Sequence, residues 1–95
     1  MDDLALTDHV QGAVIVTFDG HVLEVFAEKL GSTCRLVRGM LFVETSGPDR
    51  KGRHEVRIRS MPGPRGGGGA TLFVTGEEWP PVQAWFADVR AALGA

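Results

Sequence analysis

Basic side chains supply the densest chemistry in this sequence. Arg50, Lys51, Arg53, Arg57 and Arg59 fall within ten residues, and Arg53, Arg57 and Arg59 share the parity of one strand face beside an Arg50-Lys51 turn. Guanidinium forks match oxyanions bidentately, so this stripe could hold phosphate, an anionic lipid headgroup or an acidic partner. The same pattern also describes a solvated strand face whose charges discourage edge-to-edge pairing. From Arg35 to Arg65 eight basic residues meet three acids, a balance of +5, while the remainder stands at −7 within a formal net charge of −2. The middle is basic and the flanks are acidic.

Other chemistry finds little footing. Cys34 is the only cysteine, so one chain can build neither a disulfide nor a cysteine metal cage. Its alternation with Leu36 predicts an inner face, where a thiol is inert packing. His9, His21 and His54 show no ligand spacing, and His54 reads as a half-buried strand residue. No serine or threonine stands in a nucleophile-elbow sequence. Gly66 to Gly69 lacks the Gly-Lys-Ser/Thr ending of a phosphate loop and precedes a strand, not a helix. Arg38-Gly-Met-Leu-Phe-Val-Glu-Thr45 partly imitates the core octapeptide of RNA-recognition domains, but Met40 and Thr45 stand where stacking aromatics belong. The sequence predicts no catalytic residue, cofactor, metal or small-molecule substrate.

The elements that must position the basic stripe are mostly strands. Ala13 to Phe26 is two β-prone runs joined by Asp19-Gly20, the pair a type I′ hairpin turn favours. A two-residue turn would set Phe18 against His21, Val16 against Leu23 and Val14 against Val25, burying Val14, Val16, Phe18, Leu23 and Val25 on one face. Thr33 to Val37 and Met40 to Thr45 follow, with Leu41 and Val43 inward. After the turn-rich 46–52 stretch, Arg53 to Ser60 alternates with Val56 and Ile58 inward. Residues 61–69, with two prolines and five glycines, read as a flexible connection. Ala70 to Thr75 is a last strand, with Leu72 and Val74 on one face. A helix then begins near Pro80 and Pro81 and buries Val82, Trp85 or Phe86, Val89 and Leu93.

Ninety-five residues with 43% hydrophobic content afford one modest core. No apolar run approaches the roughly 18 residues of a spanning helix. Residues 1–10 read as an acidic, flexible segment and 11–95 as a single domain. Met1 to Asp8 carries three aspartates and no base, unlike a secretory leader, and with a lone cysteine this predicts a cytoplasmic protein.

This order of elements resembles the pleckstrin-homology-like superfold, in its short bacterial, actinobacterial-type members of unknown function. The resembling residues are Val16-Thr-Phe-Asp-Gly20, Arg35-Leu-Val-Arg-Gly-Met-Leu-Phe-Val-Glu44 and Glu78-Trp-Pro-Pro-Val-Gln-Ala-Trp-Phe-Ala-Asp-Val-Arg-Ala-Ala92. The resemblance implies a mainly β fold, a bent antiparallel sandwich or partial barrel of six to seven strands capped by one C-terminal helix. It also implies binding of lipid headgroups, peptides or proteins rather than catalysis. Headgroup-binding members carry several Lys and Arg in the first hairpin loop, where this chain has only Asp19 and Gly20. The expectation is therefore a non-enzymatic module for protein contacts or self-association, with an apolar interface at Ile15, Val22, Phe26 and Phe42. The alternative is a peripheral binder of anionic membrane or nucleic acid through Arg50, Lys51, Arg53, Arg57 and Arg59.

Overall fold

A computed structural model describes residues 3–8, 11–29, 31–60 and 69–94. The alternation of apolar and polar residues resolves into two antiparallel sheets and one helix. Strands β1 (Leu4–Asp8), β2 (Gly12–Phe18), β3 (Val22–Ala27) and β4 (Gly31–Val37) form a four-stranded meander in that order. Strands β5 (Phe42–Ser46), β6 (His54–Arg59) and β7 (Gly69–Val74) form a second, three-stranded sheet, and α1 (Trp79–Ala92) follows. The fold is mainly β, with the C-terminal helix that the pattern predicts.

The two sheets share one core. Val14, Val16, Leu23 and Val25 of the first sheet join Val56, Ile58, Leu72 and Val74 of the second, and α1 closes the cluster with Val82, Trp85, Phe86 and Val89. Each such side chain contributes about 1.5–3 kcal/mol by leaving water. Trp85 meets Phe86 edge-on, with ring centroids 4.9 Å apart, so both alternatives at this turn of the helix point inward. Just ahead of the helix, Thr75 Oγ1 accepts the Glu78 N–H at 3.2 Å and donates to Glu78 Oε1 at 3.3 Å, which ties the end of β7 to the N-cap residue Glu78. The His54 ring stacks on Trp79 at 4.1 Å and fixes that first turn over β6.

Two expectations are corrected. The N-terminal segment, expected to lie apart from the domain, forms β1 over Leu4–Asp8, which pairs with β2 and buries Leu4, Leu6 and Asp8. Its apolar alternation outweighs its acidic composition. The first hairpin also slips by two residues: Phe18 faces Leu23, Val16 faces Val25 and Val14 faces Ala27. Asp19 Oδ1 accepts the N–H groups of His21 and Val22, each at 2.8 Å, and the Asp19 N–H donates to the Val22 carbonyl at 3.3 Å, which moves the turn onto Gly20 and His21. Only Gly20 has positive φ there, so the type I′ geometry is absent. Because the slip is even, every side chain keeps its predicted face.

Gly69 opens β7 where a Cβ would collide with the Ile58 carbonyl, so glycine is required at that position. The expected flexible connection at 61–68 lies outside the described residues.

Candidate interaction surfaces

The basic stripe falls on the outer face of the second sheet. Strand β6 is its central strand, so the stripe does not guard an edge. Register places Phe42 opposite Arg59, Glu44 opposite Arg57 and Ser46 opposite Glu55. Acids therefore interleave with the bases: Arg57 Nε lies 3.9 Å from Glu55 Oε1, and Arg53 Nε lies 3.6 Å from Asp49 Oδ2. Arg50 and Lys51 stand exposed in the β5–β6 turn. That turn is built by Asp49, whose Oδ1 accepts the N–H groups of Lys51 at 2.8 Å and Arg53 at 2.9 Å. The Arg53 N–H, then the Lys51 N–H and the charges of both side chains, hold the Asp49 carboxyl below its ordinary value despite an opposing desolvation effect. The five basic residues do lie on one stretch of surface, but Arg53 and Arg57 bring their counter-charges with them.

The four apolar interface candidates do not form one patch. Ile15 and Phe26 are directly opposed on the outer face of the first sheet, 46% and 39% exposed, beside a shallow hollow that also touches Ala13, Ala27 and Gly31. Val22 is half-buried at the far end of β3, opposite the exposed Val37. Phe42 belongs to the other sheet, because the chain passes from one sheet to the other between Val37 and Phe42. The first sheet's ion pair, Glu24 with Arg35 at 3.8 Å, separates Val22 from Phe26 along β3.

A third surface arises at that crossing. Val37, Met40 and Phe42 are all exposed, and the Met40 N–H donates to the Val37 carbonyl at 2.9 Å to turn the chain. Beside them a groove of about 450 Å³ runs between β5 and the end of α1, with Leu41, Phe42, Val43 and Leu93 as its apolar lining and Arg38, Glu44 and Arg90 as its charged groups. Arg59, opposite Phe42, adds a further positive charge next to it.

The groove follows an edge of the sheet. On β7 the Phe73 N–H and the Thr71 carbonyl point away from β6, since both bond to side chains outside the sheet. Antiparallel alternation carried across β6 then turns the backbone groups of Val43 and Thr45 outward from β5. Arg90 Nη2 donates to the Val43 carbonyl at 3.0 Å, in agreement with that phase. Among the described residues, β5 pairs with β6 alone.

Sequence reasoning missed this site. Leu41 and Leu93 read there as core and nothing in the sequence ties Arg90 to them; only tertiary placement brings the three together. Of the remaining candidates, Cys34 is half-buried and desolvation raises its thiol pKa, which disfavours a reactive thiolate. His21 is exposed, and His9 lies outside the described residues. No cluster of three or more His, Cys, Asp or Glu suited to a metal occurs among the described residues. No described helix is long and apolar enough to cross a membrane. No protein-family model matches the chain, and neither a search of curated proteins nor one of solved structures returns a match.

Proposed function

We propose that this chain is a non-enzymatic, pleckstrin-homology-like interaction module that takes an extended polypeptide segment of a protein partner into the groove between β5 and α1. The observation that carries this reading is the outward-facing backbone of Val43 and Thr45 running along an apolar groove. A strand added to such an edge gains main-chain hydrogen bonds, and its alternate side chains enter the groove for specificity. Arg38, Arg90 and the neighbouring Arg59 against Glu44 favour a segment that carries acidic residues among apolar ones. The alternative of an anionic membrane or nucleic acid on Arg50, Lys51, Arg53, Arg57 and Arg59 is weakened by the ion pairs within that stripe.

Selection from a phage-displayed library of random octapeptides tests the reading. Enriched peptides alternate apolar and polar residues, carry at least one acid, and lose binding to Thr45→Pro, which removes an outward N–H. A selection that enriches nothing, or peptides that bind Thr45→Pro as well as the wild type, would overturn it.

A further inference from the structure

The contact between Arg90 and Val43 has a consequence for which segments the groove accepts. The Val43 carbonyl is one of the main-chain acceptors a docking strand would use, and the Arg90 guanidinium already donates to it at 3.0 Å. Arg90 lies in the last turn of α1, exposed, and lines the same groove as Leu41, Phe42 and Leu93. A neutral strand must therefore compete with a charged donor for the Val43 oxygen. An acidic side chain meets a different situation, because a carboxylate accepts two parallel N–H bonds from guanidinium and outcompetes a single amide oxygen.

We propose that Arg90 is a latch that makes the β5 edge selective: it caps Val43 until a carboxylate on the incoming segment draws the guanidinium away, freeing the carbonyl for strand pairing. This inference rests on the groove reading above. It assigns Arg90 two opposed effects, holding off neutral strands and recruiting acidic ones. A residue that merely packed the helix end would do neither. Arg38 and Arg90 line the groove against Glu44, so the incoming carboxylate enters a net positive field.

Two synthetic peptides, acetyl-Ser-Val-Thr-Leu-Glu-Leu-Thr-Ser-amide and its Gln counterpart, separate the possibilities when titrated into ¹⁵N-labelled protein. With the wild type, the Glu peptide shifts the amide signals of Val43, Thr45 and Leu93 and binds about tenfold more tightly than the Gln peptide, as a hydrogen bond to a charged group allows. In Arg90→Ala the Gln peptide gains affinity, the Glu peptide loses it, and the ratio approaches one. Arg90→Lys keeps the charge without the fork and retains only part of the preference. Equal binding of both peptides to the wild type, or a uniform loss in Arg90→Ala with the ratio preserved, overturns the latch but leaves the groove standing. If neither peptide moves the signals of Val43, Thr45 or Leu93, both the groove and the latch fall.

Discussion

The two edges of the three-stranded sheet are finished in opposite ways. Along β7, the outward Phe73 N–H is taken by Asp8 Oδ2 at 2.8 Å and the Thr71 carbonyl by Gln11 Nε2 at 2.8 Å. Both partners come from the β1–β2 hairpin, Asp8 at the end of β1 and Gln11 just before β2, and both are buried. Along β5, the corresponding contact is one exposed guanidinium from the end of α1. An exposed strand edge is a standing invitation to another chain, and natural proteins usually block it. Here one edge is sealed by buried side chains that cannot leave without loss, and the other by a charged group that can. That asymmetry is the strongest support for the proposed docking site on β5.

The seal on β7 gives the largest expected effect. Asp8 is 1% exposed, and its two oxygens receive the Gln11 N–H at 3.1 Å, the Gln11 Nε2 at 3.2 Å and the Phe73 N–H. Asp8→Ala removes charged acceptors and leaves buried donors unsatisfied, at a cost of about 3 kcal/mol. Urea denaturation reads this directly as a lowered midpoint. A loss below about 1 kcal/mol would mean that the β7 edge is no better sealed than β5, and the contrast would disappear.

Proline substitution compares the two edges on equal terms, since proline deletes one N–H wherever it is placed. Phe73→Pro strips the donor that Asp8 holds and is expected to cost at least 3 kcal/mol, leaving little folded protein at ambient temperature. Thr45→Pro deletes a donor that faces out of β5 and is expected to cost less than about 1 kcal/mol. Circular dichroism melts of both variants check the ordering. Equal destabilisation would show that the Thr45 N–H is already engaged, which removes the basis for strand addition there.

Much of the fold was legible because burial follows period-2 alternation. Val14, Val16, Leu23, Val25, Val56, Ile58, Leu72 and Val74 all lie inward as the pattern predicts, and so do Val82 and Val89 at helical spacing. The first hairpin's register was not legible, because the Asp19 side chain, rather than the dipeptide's backbone preference, decided the turn. The burial of Asp8 was not legible either. Nothing in an acidic segment marks one carboxylate for burial until the fold brings the Gln11 N–H, Gln11 Nε2 and the Phe73 N–H around it. The β5 groove is less legible still, since it exists only where Leu41, Val43, Arg90 and Leu93 converge from segments far apart in sequence.

The smallest effect concerns the turn that holds β5 against β6. Asp49 performs for that hairpin what Asp19 performs for β2 and β3: one carboxylate oxygen gathers two backbone N–H groups. Both carboxyls titrate below their ordinary value, chiefly through those N–H bonds. Because the folded state holds each pKa below its unfolded value, their contribution to stability is present above the unfolded pKa and is lost as pH falls through the folded one. Asp49→Asn keeps an oxygen that can accept the same N–H groups but abolishes the titration. The wild type should therefore be slightly more stable than Asp49→Asn at pH 6, with the difference vanishing as the pH drops below the ordinary carboxylate range of about 4. Urea midpoints of the two proteins between pH 6 and pH 2 measure it. High salt should narrow the gap at pH 6, because the part owed to Arg53 is exposed and screened. If the difference instead grew on acidification, Asp49 would be a cost to the folded state, and the β5 hairpin would owe its shape to the strands alone.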